Sequence, residues 1–300
     1  MSTSTIAVTG ATGAQGGAAA RALIASGHRV RALTRDPAGP AAEALRALGA
    51  DVRRADFDDR ASLDAALAGA DALFAVTTPF GTDVDAEVRQ GRALVDAAVA
   101  ARLGHVVLTS AAHADRGTGI PHYESKFLVE RHLYASGLTW TVIGPAAFMD
   151  NYASGWTLEG LREGSFAWPM PGGQPLALVC ARDIGAFAAL ALRRRAAFAG
   201  RRVDIAADAL DPAAIAAALT HAAGRPVAHH EVPLEVVRGY SEDLAAMFAY
   251  FASAGLDVDV AALRREFPEV GWQSFADWAA AQDWPALLSA PPAARPGAKG

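Results

Sequence analysis

The sequence has little of what a disulfide framework, a cysteine-bound metal or a membrane span requires. Its 300 residues include a single cysteine, Cys180, which excludes an intrachain disulfide and is typical of a reducing compartment. No apolar run reaches the length of a membrane span without a charged residue, and no basic segment precedes an apolar core at the N-terminus. We therefore expect a cytoplasmic protein with no membrane partner.

Basic charge is also scarce relative to acidic charge. The formal net charge is −5 at pH 7, which leaves no basic footprint for direct binding to nucleic acid. His229 and His230 lack the cysteine or carboxylate spacing of a metal site, so we predict no metal. The sequence leaves open whether the chain is a monomer or a homodimer.

What the sequence does have is a regular alternation of two kinds of segment. Short β-branched runs such as TIAVT, HRVRALT and DALFAVT alternate with alanine-rich stretches of helical length, and this predicts βαβ units around a parallel sheet. The right-handed crossover rule favours a doubly wound topology. The predicted fold class is therefore α/β, a doubly wound parallel Rossmann sheet with a small C-terminal α/β lobe.

The alternation breaks after residue 145, where aromatic residues and glycines become frequent. We predict a Rossmann domain over 1–145 and a lobe for a substrate or partner over 146–285. This lobe is expected to rejoin the main sheet in part, through a helix at 182–195 and the strand RRVDIA. The proline- and glycine-rich segment 286–300 is predicted to be a disordered tail.

A glycine-rich loop, VTGATGAQGG, follows the first strand and opens a helix. Glycines at a GxxGxxG spacing allow a tight turn, close approach of the backbone to a pyrophosphate and close helix-to-strand packing. In this βαβ context the loop predicts dinucleotide binding and makes 1–145 an NAD(P)-binding domain; the alternative is a glycine-rich turn without a ligand. The residues expected to bind the cofactor here are Gly10, Thr12, Gly13, Ala14, Gln15 and Gly16.

The end of the second strand bears on the choice of cofactor. Arg35 stands where a carboxylate would normally meet the hydroxyls of the adenosine ribose. An arginine there can pair with a 2′-phosphate, which favours NADP(H) over NAD(H). The alternative is a solvated loop cation, and the neighbouring Asp36 weakens the distinction between the two cofactors.

The third strand is followed by ADFDD, in which Asp56 and Phe57 could contact the edge and face of the adenine. Asp58 or Asp59 could equally be the N-cap of a helix. Residues that end the fourth strand lie at the carboxyl edge of the sheet, where the middle of a dinucleotide passes. The other expected cofactor contacts are Thr77, Thr78, Pro79, Lys126, Pro145 and Phe148.

With these motifs, the chain resembles the NmrA-like group of atypical short-chain dehydrogenases/reductases from about residue 4 to 282. The most specific stretches are the glycine loop with its AQGG ending, the block PHYESKFLVERHLYASGLTWTVIGP and the FMDNY that follows. The resemblance implies a Rossmann fold, a preference for NADP(H) and a small C-terminal lobe for a substrate or partner. It implies less about chemistry, because the group holds both reductases and cofactor-sensing regulators.

The stretch PHYESKF departs from the pattern of typical short-chain reductases, in which a tyrosine precedes a lysine by four residues. Here His122 precedes Lys126 by four and Tyr123 by three. The resemblance extends to isoflavone-reductase-like enzymes and implies that Lys126 alone holds the nicotinamide ribose and stabilises a developing oxyanion. His122 is a second candidate, because an imidazole titrates near neutral pH. The alternatives are a surface lysine and a histidine solvated in the first helical turn after Pro121.

Ser110 ends the fifth strand with Thr109 and is the third catalytic candidate, although strand-end hydroxyls also cap the next segment. Several apolar residues could line a pocket over the nicotinamide or simply pack in the core: Phe80, Phe148, Met149, Tyr152, Trp156 and Trp168. The predicted function is an NADPH-dependent oxidoreductase that transfers hydride to a hydrophobic carbonyl, enone or quinone. The alternative is a non-catalytic NADP(H)-binding redox sensor that acts through protein partners, which would have to bind the two cofactor forms unequally.

Overall fold

The structure, a computed structural model, describes residues 4–80 and 83–289, without the side chain of Trp156. The strands are β1 (Thr5–Val8), β2 (Arg29–Thr34), β3 (Asp51–Arg54), β4 (Ala72–Val76), β5 (His105–Thr109), β6 (Trp140–Pro145), β7 (Ala147–Phe148), β8 (Ser165–Trp168), β9 (Leu176–Val179), β10 (Arg201–Ile205), β11 (Asp208–Leu210) and β12 (Ala228–Glu231). The helices are α1 (Ala14–Ala25), α2 (Pro40–Ala47), α3 (Arg60–Leu67), α4 (Val84–Ala100), α5 (Pro121–Ala135), α6 (Gly155–Arg162), α7 (Ala181–Arg193), α8 (Arg195–Phe198), α9 (Pro212–Ala223), α10 (Leu234–Arg238), α11 (Glu242–Ala254), α12 (Val260–Glu266), α13 (Phe275–Ala280) and α14 (Trp284–Ser289).

Seven strands form one parallel sheet in the order β10-β6-β5-β4-β1-β2-β3. The chain starts in the middle of this sheet at β1, builds outward through β2 and β3, and then crosses to β4 on the other side. The predicted strand RRVDIA is β10, which pairs with β6 at the sheet edge. The predicted doubly wound Rossmann fold is therefore confirmed.

Helices cover both faces of this sheet. Alternate strand residues such as Ala7, Leu73 and Val106 point to one face, where they pack in a buried core with residues of α3, α4 and α5. Elsewhere α1 packs on α7 so closely that a Cβ on Gly185 would lie 2.5 Å from the carbonyl carbon of Ala18. Burial on both faces explains why the central strands β1, β4 and β5 are nearly continuous apolar runs.

The chain forms two compact units, and neither is continuous in sequence. The first contains the chain up to Ala146 together with Ala181–Ala206 and Val258–Trp272. The second contains Ala147–Cys180, Ala207–Asp257 and the segment that starts at Gln273. Both α7 and β10 thus belong to the unit that contains the parallel sheet.

The second unit has its own small sheets in the region where the sequence showed no regular rhythm. One has the order β11-β9-β7, and the other pairs β12 with β8 in parallel. Helix α14 extends to Ser289, so residues 286–289 of the predicted tail are helical and the rest of that tail lies outside the described residues. Within 4–80 and 83–289, no helix combines the length and the hydropathy needed to cross a membrane.

Candidate functional site

The carboxyl ends of the parallel strands bring most of the candidate residues to one edge of the sheet. Val76 of β4 and Thr109 of β5 are partners in the strand register. Thr77 and Ser110 therefore leave neighbouring strands at the same level. The glycine loop follows β1 at this same edge, which is where open α/β sheets bind their ligands.

The glycine loop has the geometry of an anion cradle at the start of α1. Gly10 has a φ of +58°, and the Gly13 N–H donates to the Gly10 carbonyl at 2.9 Å, which closes the turn. A Cβ on Gly16 would lie 2.2 Å from the Gly10 carbonyl oxygen, so a side chain cannot be accommodated there. Thr12 and Ala14 are exposed on the loop. The first turn of α1 contains no acidic residue, so its N-terminus is suited to an anion.

Two hydroxyls connect the glycine loop to the neighbouring strand ends. Thr9 Oγ1 accepts from the Val76 N–H at 2.7 Å and donates to the Val76 carbonyl at 3.1 Å. Thr109 Oγ1 donates to Gln15 Oε1 at 2.9 Å, so the Gln15 side chain reaches from α1 to the end of β5. Sequence reasoning missed Thr9, because a buried threonine at a strand end has no distinctive pattern.

Arg35 is exposed and has no hydrogen bond or ion pair within the described part of the chain. The neighbouring Asp36 is engaged locally, since its Oδ1 accepts from the Ala38 N–H at 3.1 Å and its own N–H donates to Thr34 Oγ1 at 3.2 Å. Asp36 forms no ion pair with Arg35 in the described chain. The guanidinium is available for a phosphate at the end of β2.

The segment after β3 serves partly as a helix start. Asp59 is the N-cap of α3 and accepts from the Ser62 N–H at 3.1 Å, which together with Arg54 lowers the pKa of its carboxyl group. Asp56 Oδ1 accepts from the Asp58 N–H at 3.1 Å. Phe57 is half-buried against the core of the first unit. The capping alternative thus holds for Asp59, and contact of Asp56 and Phe57 with adenine stays a prediction.

Lys126 lies in a buried polar cluster. Its ammonium donates to Glu87 Oε1 of α4 at 2.7 Å and to the Thr77 carbonyl at 3.1 Å. Glu87 is fully buried and also accepts from Thr77 Oγ1 at 2.9 Å and from Ser125 Oγ. The Lys126 side chain is 12% exposed, so it is not a solvated surface lysine. The cluster holds its cation at the carboxyl end of β4.

Sequence reasoning missed Glu87, although two signals were available. In α4, Glu87 shares a helical face with Gly91, Leu94 and Ala98, all of them buried, so it is an acidic residue in an otherwise apolar stripe. Lysine occurs in the sequence at 126 and 299, and every other side chain that is always cationic is arginine. Lys126 is therefore a rare residue type in this chain.

His122 is 6% exposed, so the interpretation of a solvated first-turn histidine is wrong. Its ring lies edge-on to Tyr123 with centroids 4.8 Å apart and is tilted against Phe80 at 5.7 Å. Phe80 itself is 65% exposed at the end of β4. Because His122 and Lys126 are four residues apart on α5, both side chains lie on one face of that helix.

Ser110 has a buried hydroxyl with no hydrogen-bond partner among the residues that the structure describes. Its Oγ therefore does not cap the following segment. Its backbone N–H donates to the Ile143 carbonyl at 2.8 Å, which fixes the residue beside β6. Buried polar atoms normally have a partner, so an unpaired hydroxyl at this edge is suited to a bound ligand.

The loop that follows Ser110 is held by Arg202 of β10. Arg202 Nη2 donates to the Ala111 carbonyl at 2.7 Å, and Nη1 donates to Asp204. Asp204 in turn accepts from the His113 N–H at 3.1 Å. His113 is fully buried.

The remaining candidates for cofactor contact differ in exposure. Thr78 is exposed and its Oγ1 accepts from the Phe80 N–H at 3.2 Å, whereas Pro79 is buried. Pro145 is buried at the end of β6. Phe148 is half-buried in β7 and belongs to the second unit.

Two of the aromatic candidates of the second unit, Tyr152 and Trp168, are core residues. Tyr152 is 1% exposed, stacks on Trp168 with centroids 5.1 Å apart and meets Phe275 edge-on. Burial raises the pKa of the Tyr152 hydroxyl, which has no hydrogen-bond partner in the described chain. Met149 is fully buried as well. Ordinary core packing therefore accounts for Met149, Tyr152 and Trp168. The side chain of Trp156 lies outside the described part of the structure.

No group of three or more histidine, cysteine or carboxylate residues within 4–80 and 83–289 is arranged to hold a metal ion. His229 and His230 lie on β12, and the Phe166 ring packs against His229 with centroids 5.7 Å apart.

Comparison with known proteins finds the same family over nearly the whole chain. The model of the NmrA-like family matches residues 2–279. The chain is 34% identical to an NAD(P)H azoreductase of Xenophilus azovorans, over 84% of this chain and 88% of that protein. It is 27% identical to an NADPH-dependent quinone oxidoreductase of Escherichia coli solved with NADPH, with a TM-score of 0.75 over 91% of this chain and 98% of the other.

A further solved relative is a transcriptional regulator. NmrA, a negative transcriptional regulator solved in complex with NADP, is 25% identical with a TM-score of 0.76 over 95% of this chain and 96% of the other. The family match and these full-length similarities agree with the glycine loop and the sheet described above. The chain belongs to the NmrA-like family.

Proposed function

We propose that this protein is an NADPH-dependent oxidoreductase of the atypical short-chain type, which transfers hydride to a hydrophobic carbonyl, enone or quinone. The observation that carries this proposal is the Lys126 ammonium, held by Glu87 and Thr77 at the carboxyl end of β4. The similarity to an azoreductase and to a quinone oxidoreductase supports reduction of a flat acceptor.

The residues at the sheet edge fit a dinucleotide. The cradle formed by Gly10, Gly13 and Gly16 would hold the pyrophosphate at the start of α1. Arg35, exposed and unpaired in the described chain, would bind the 2′-phosphate of NADP(H). The buried Ser110 hydroxyl would bind the nicotinamide ribose or the substrate oxygen. When bound, the cofactor supplies the hydride.

The chain supplies what the substrate needs as hydride arrives. Lys126 places an ammonium where negative charge develops on the substrate oxygen, and its hydrogen bond stabilises that charge in a water-poor site. His122 lies on the same face of α5 and is the second candidate for the group that donates a proton to the substrate. Phe80 presents an exposed ring beside His122 and could stack on a flat acceptor.

A second candidate function, a redox sensor without turnover, is favoured by the similarity to the regulator NmrA. The absence of a tyrosine four residues before Lys126 favours it as well. Such a protein must bind NADPH and NADP⁺ with different affinities, because a ligand shifts an equilibrium only through differential binding. The two functions therefore differ in a measurable quantity.

The experiment that tests the proposal is NADPH oxidation, followed by loss of nicotinamide absorbance, with a panel of quinones, enones, aldehydes and azo dyes. Wild type is compared with Lys126→Ala and His122→Ala. Two controls on the same helix are Arg131→Ala, an exposed cation, and His132→Ala, whose ring pairs with Asp96 at 2.7 Å.

We expect turnover with at least one class of acceptor, a large loss in Lys126→Ala and little change in the two controls. Binding of NADPH measured on each variant separates loss of cofactor from loss of chemistry. Absence of turnover across the panel, combined with tight and unequal binding of NADPH and NADP⁺, would replace the reductase with the sensor.

A further inference from the structure

We propose that Glu87 is the positioning residue of this site: it fixes the Lys126 ammonium so that one of its N–H bonds points to the cofactor or substrate. This inference rests on the proposed function, because Lys126 is its working group. Glu87 lies in the first turn of α4, 39 positions before Lys126 in the chain, and its carboxylate meets the ammonium at 2.7 Å.

Hydrogen-bond counting supports the role. An ammonium has three donors. Lys126 gives one to Glu87 Oε1 and one to the Thr77 carbonyl, and the described chain offers it no other partner. One donor is therefore uncommitted, and the other two bonds restrict where it can point.

Glu87 is itself held from two sides. Its Oε1 accepts from Thr77 Oγ1 as well as from Lys126, and its Oε2 accepts from Ser125 Oγ. The carboxylate is fully buried, and its partners come from β4 and α5, two elements that flank the candidate site. A carboxylate held in this way cannot follow a moving ammonium, so the ammonium is held in place.

Stability alone is a poor explanation for this pair. A buried ion pair contributes little net stability compared with apolar residues of similar volume, because both charges lose their hydration. The neighbours of Glu87 along the inner face of α4 are apolar or glycine, so an apolar residue would suit that face. The carboxylate is explained instead by the cation that it orients.

The test is a double-mutant cycle on kcat/KM and on the Kd of NADPH, with Glu87→Gln, Lys126→Ala and the double variant. If Glu87 acts through Lys126, then Glu87→Gln lowers kcat/KM about 10- to 100-fold in wild type, the loss typical of a misplaced catalytic group. In the Lys126→Ala background the same change has almost no further effect.

Glu130→Gln is the matched control. Glu130 is also a fully buried glutamate of the first unit, but it pairs with Arg202 and not with Lys126. Whatever loss this variant causes should be the same in the wild-type and Lys126→Ala backgrounds. Equal losses for Glu87→Gln in the two backgrounds would overturn the proposal.

A second measurement does not depend on turnover. In a Lys299→Arg variant labelled with ¹⁵N-lysine, every lysine side-chain signal comes from Lys126, since 126 and 299 are the lysine positions of the sequence. We expect the Nζ signal to shift when NADPH is added. It should also change in Glu87→Gln before any cofactor is added, and stay as in wild type in Glu130→Gln.

The outcomes separate the two proposals. If wild type turns over no acceptor but the Nζ signal depends on Glu87 and on NADPH, the reductase function fails and the positioning role stands. If turnover is normal and Glu87→Gln changes neither kinetics nor the Nζ signal, the positioning role fails alone. Should Glu87→Gln not fold, as judged by circular dichroism, Ser125→Ala removes the bond to Oε2 and should give a smaller loss with the same non-additivity.

Discussion

The first unit contains two fully buried glutamates on adjacent helices, and they have opposite relations to their cations. Glu130 of α5 binds Arg202, whose guanidinium also contacts Asp115, Asp204 and the Ala111 carbonyl. Each of the three guanidinium nitrogens of Arg202 donates a hydrogen bond. Glu87 of α4 binds Lys126, whose ammonium keeps one donor uncommitted in the described chain.

The Arg202 cluster has a structural role, and we call it the brace. The Lys126 cluster is the candidate functional site. Tyr134 Oη adds a hydrogen bond to Glu130 at 2.6 Å, and this bond together with burial raises the pKa of the tyrosine. The Arg202 cluster thus satisfies its own polar groups and holds the loop after β5. The Lys126 cluster leaves a donor at the edge of the sheet where a ligand would lie. A saturated network stabilises the fold, whereas an unsaturated one can act on a ligand.

The largest expected effect is on the brace. Arg202→Ala leaves Glu130 and Asp204 without their counter-charge, and we expect the free energy of unfolding to fall by about 3–5 kcal/mol. Urea unfolding measures it. Arg46→Ala, which breaks an exposed pair with Glu43, is the control and should change the same quantity by less than about 1 kcal/mol. Similar losses in both variants would contradict the assignment of Arg202 as a brace.

A buried ionisable group without an ion pair should respond to acid. Burial, together with the nearby charge of Arg195, lowers the pKa of His105 from 6.5 to about 4. Between these values the unfolded chain binds a proton that the folded chain does not. The free energy of unfolding therefore falls as the pH drops from about 6.5 to about 4, by at most about 3 kcal/mol from this group.

His105→Gln tests the contribution of this group. Glutamine can keep a donor for Thr141 Oγ1, which the His105 ring contacts through Nε2 at 2.8 Å. We expect the pH dependence of urea unfolding to become flatter in this variant over that range. His230→Gln, at an exposed position, should leave the curve as in wild type. A curve for His105→Gln parallel to wild type would show that other groups cause the acid sensitivity.

Reciprocal substitutions compare the two cations directly. Arg202→Lys keeps the charge but loses most of the fork, and we expect a loss of about 2 kcal/mol in the free energy of unfolding. Lys126→Arg keeps the pair with Glu87 and should cost less stability, while the proposed turnover falls at least about tenfold because the donor geometry changes. If Lys126→Arg retained full turnover, charge alone would suffice at that position.

The smallest expected effect belongs to Arg35, an exposed cation with no hydrogen bond or ion pair in the described chain. Arg35→Ala should weaken binding of NADPH by about tenfold, the loss of one charge-assisted hydrogen-bonded pair at an exposed site, and leave NADH binding unchanged. Fluorescence titration of both cofactors measures it. Arg53→Ala, which removes an exposed arginine of the neighbouring strand, is the control. Equal weakening of both cofactors would remove Arg35 from the choice between them.

Much of the first unit was predictable, because its signals are local. The alternation of apolar runs and alanine-rich segments predicted every strand of the parallel sheet, including β10. The second unit was harder, since its strands β7 and β11 contain only two and three residues and its sheets join distant segments. Such short strands are specified by pairing with partners far away in the chain and not by their own periodicity.

The candidate site divides in the same way. The glycine spacing and the HYESK stretch pointed to the loop and to Lys126 from residue type and spacing alone. The burial of His122 and the helix cap by Asp59 were left open, because exposure and capping depend on what packs nearby. Glu87 was missed because its role is defined by Thr77, Ser125 and Lys126, which approach it from other elements.

The sequence by itself determined the family, the strands of the parallel sheet and the glycine cradle, since each depends on residues that are neighbours along the chain. Only the tertiary structure decided which cation is saturated and which keeps a donor. The reason is physical: a hydrogen-bond donor is used up by atoms that folding brings within about 3 Å, from any distance in sequence. Arg202 and Lys126 are both single cations in the sequence, and folding gives a partner to every nitrogen of Arg202 while it leaves Lys126 with a donor uncommitted in the described chain.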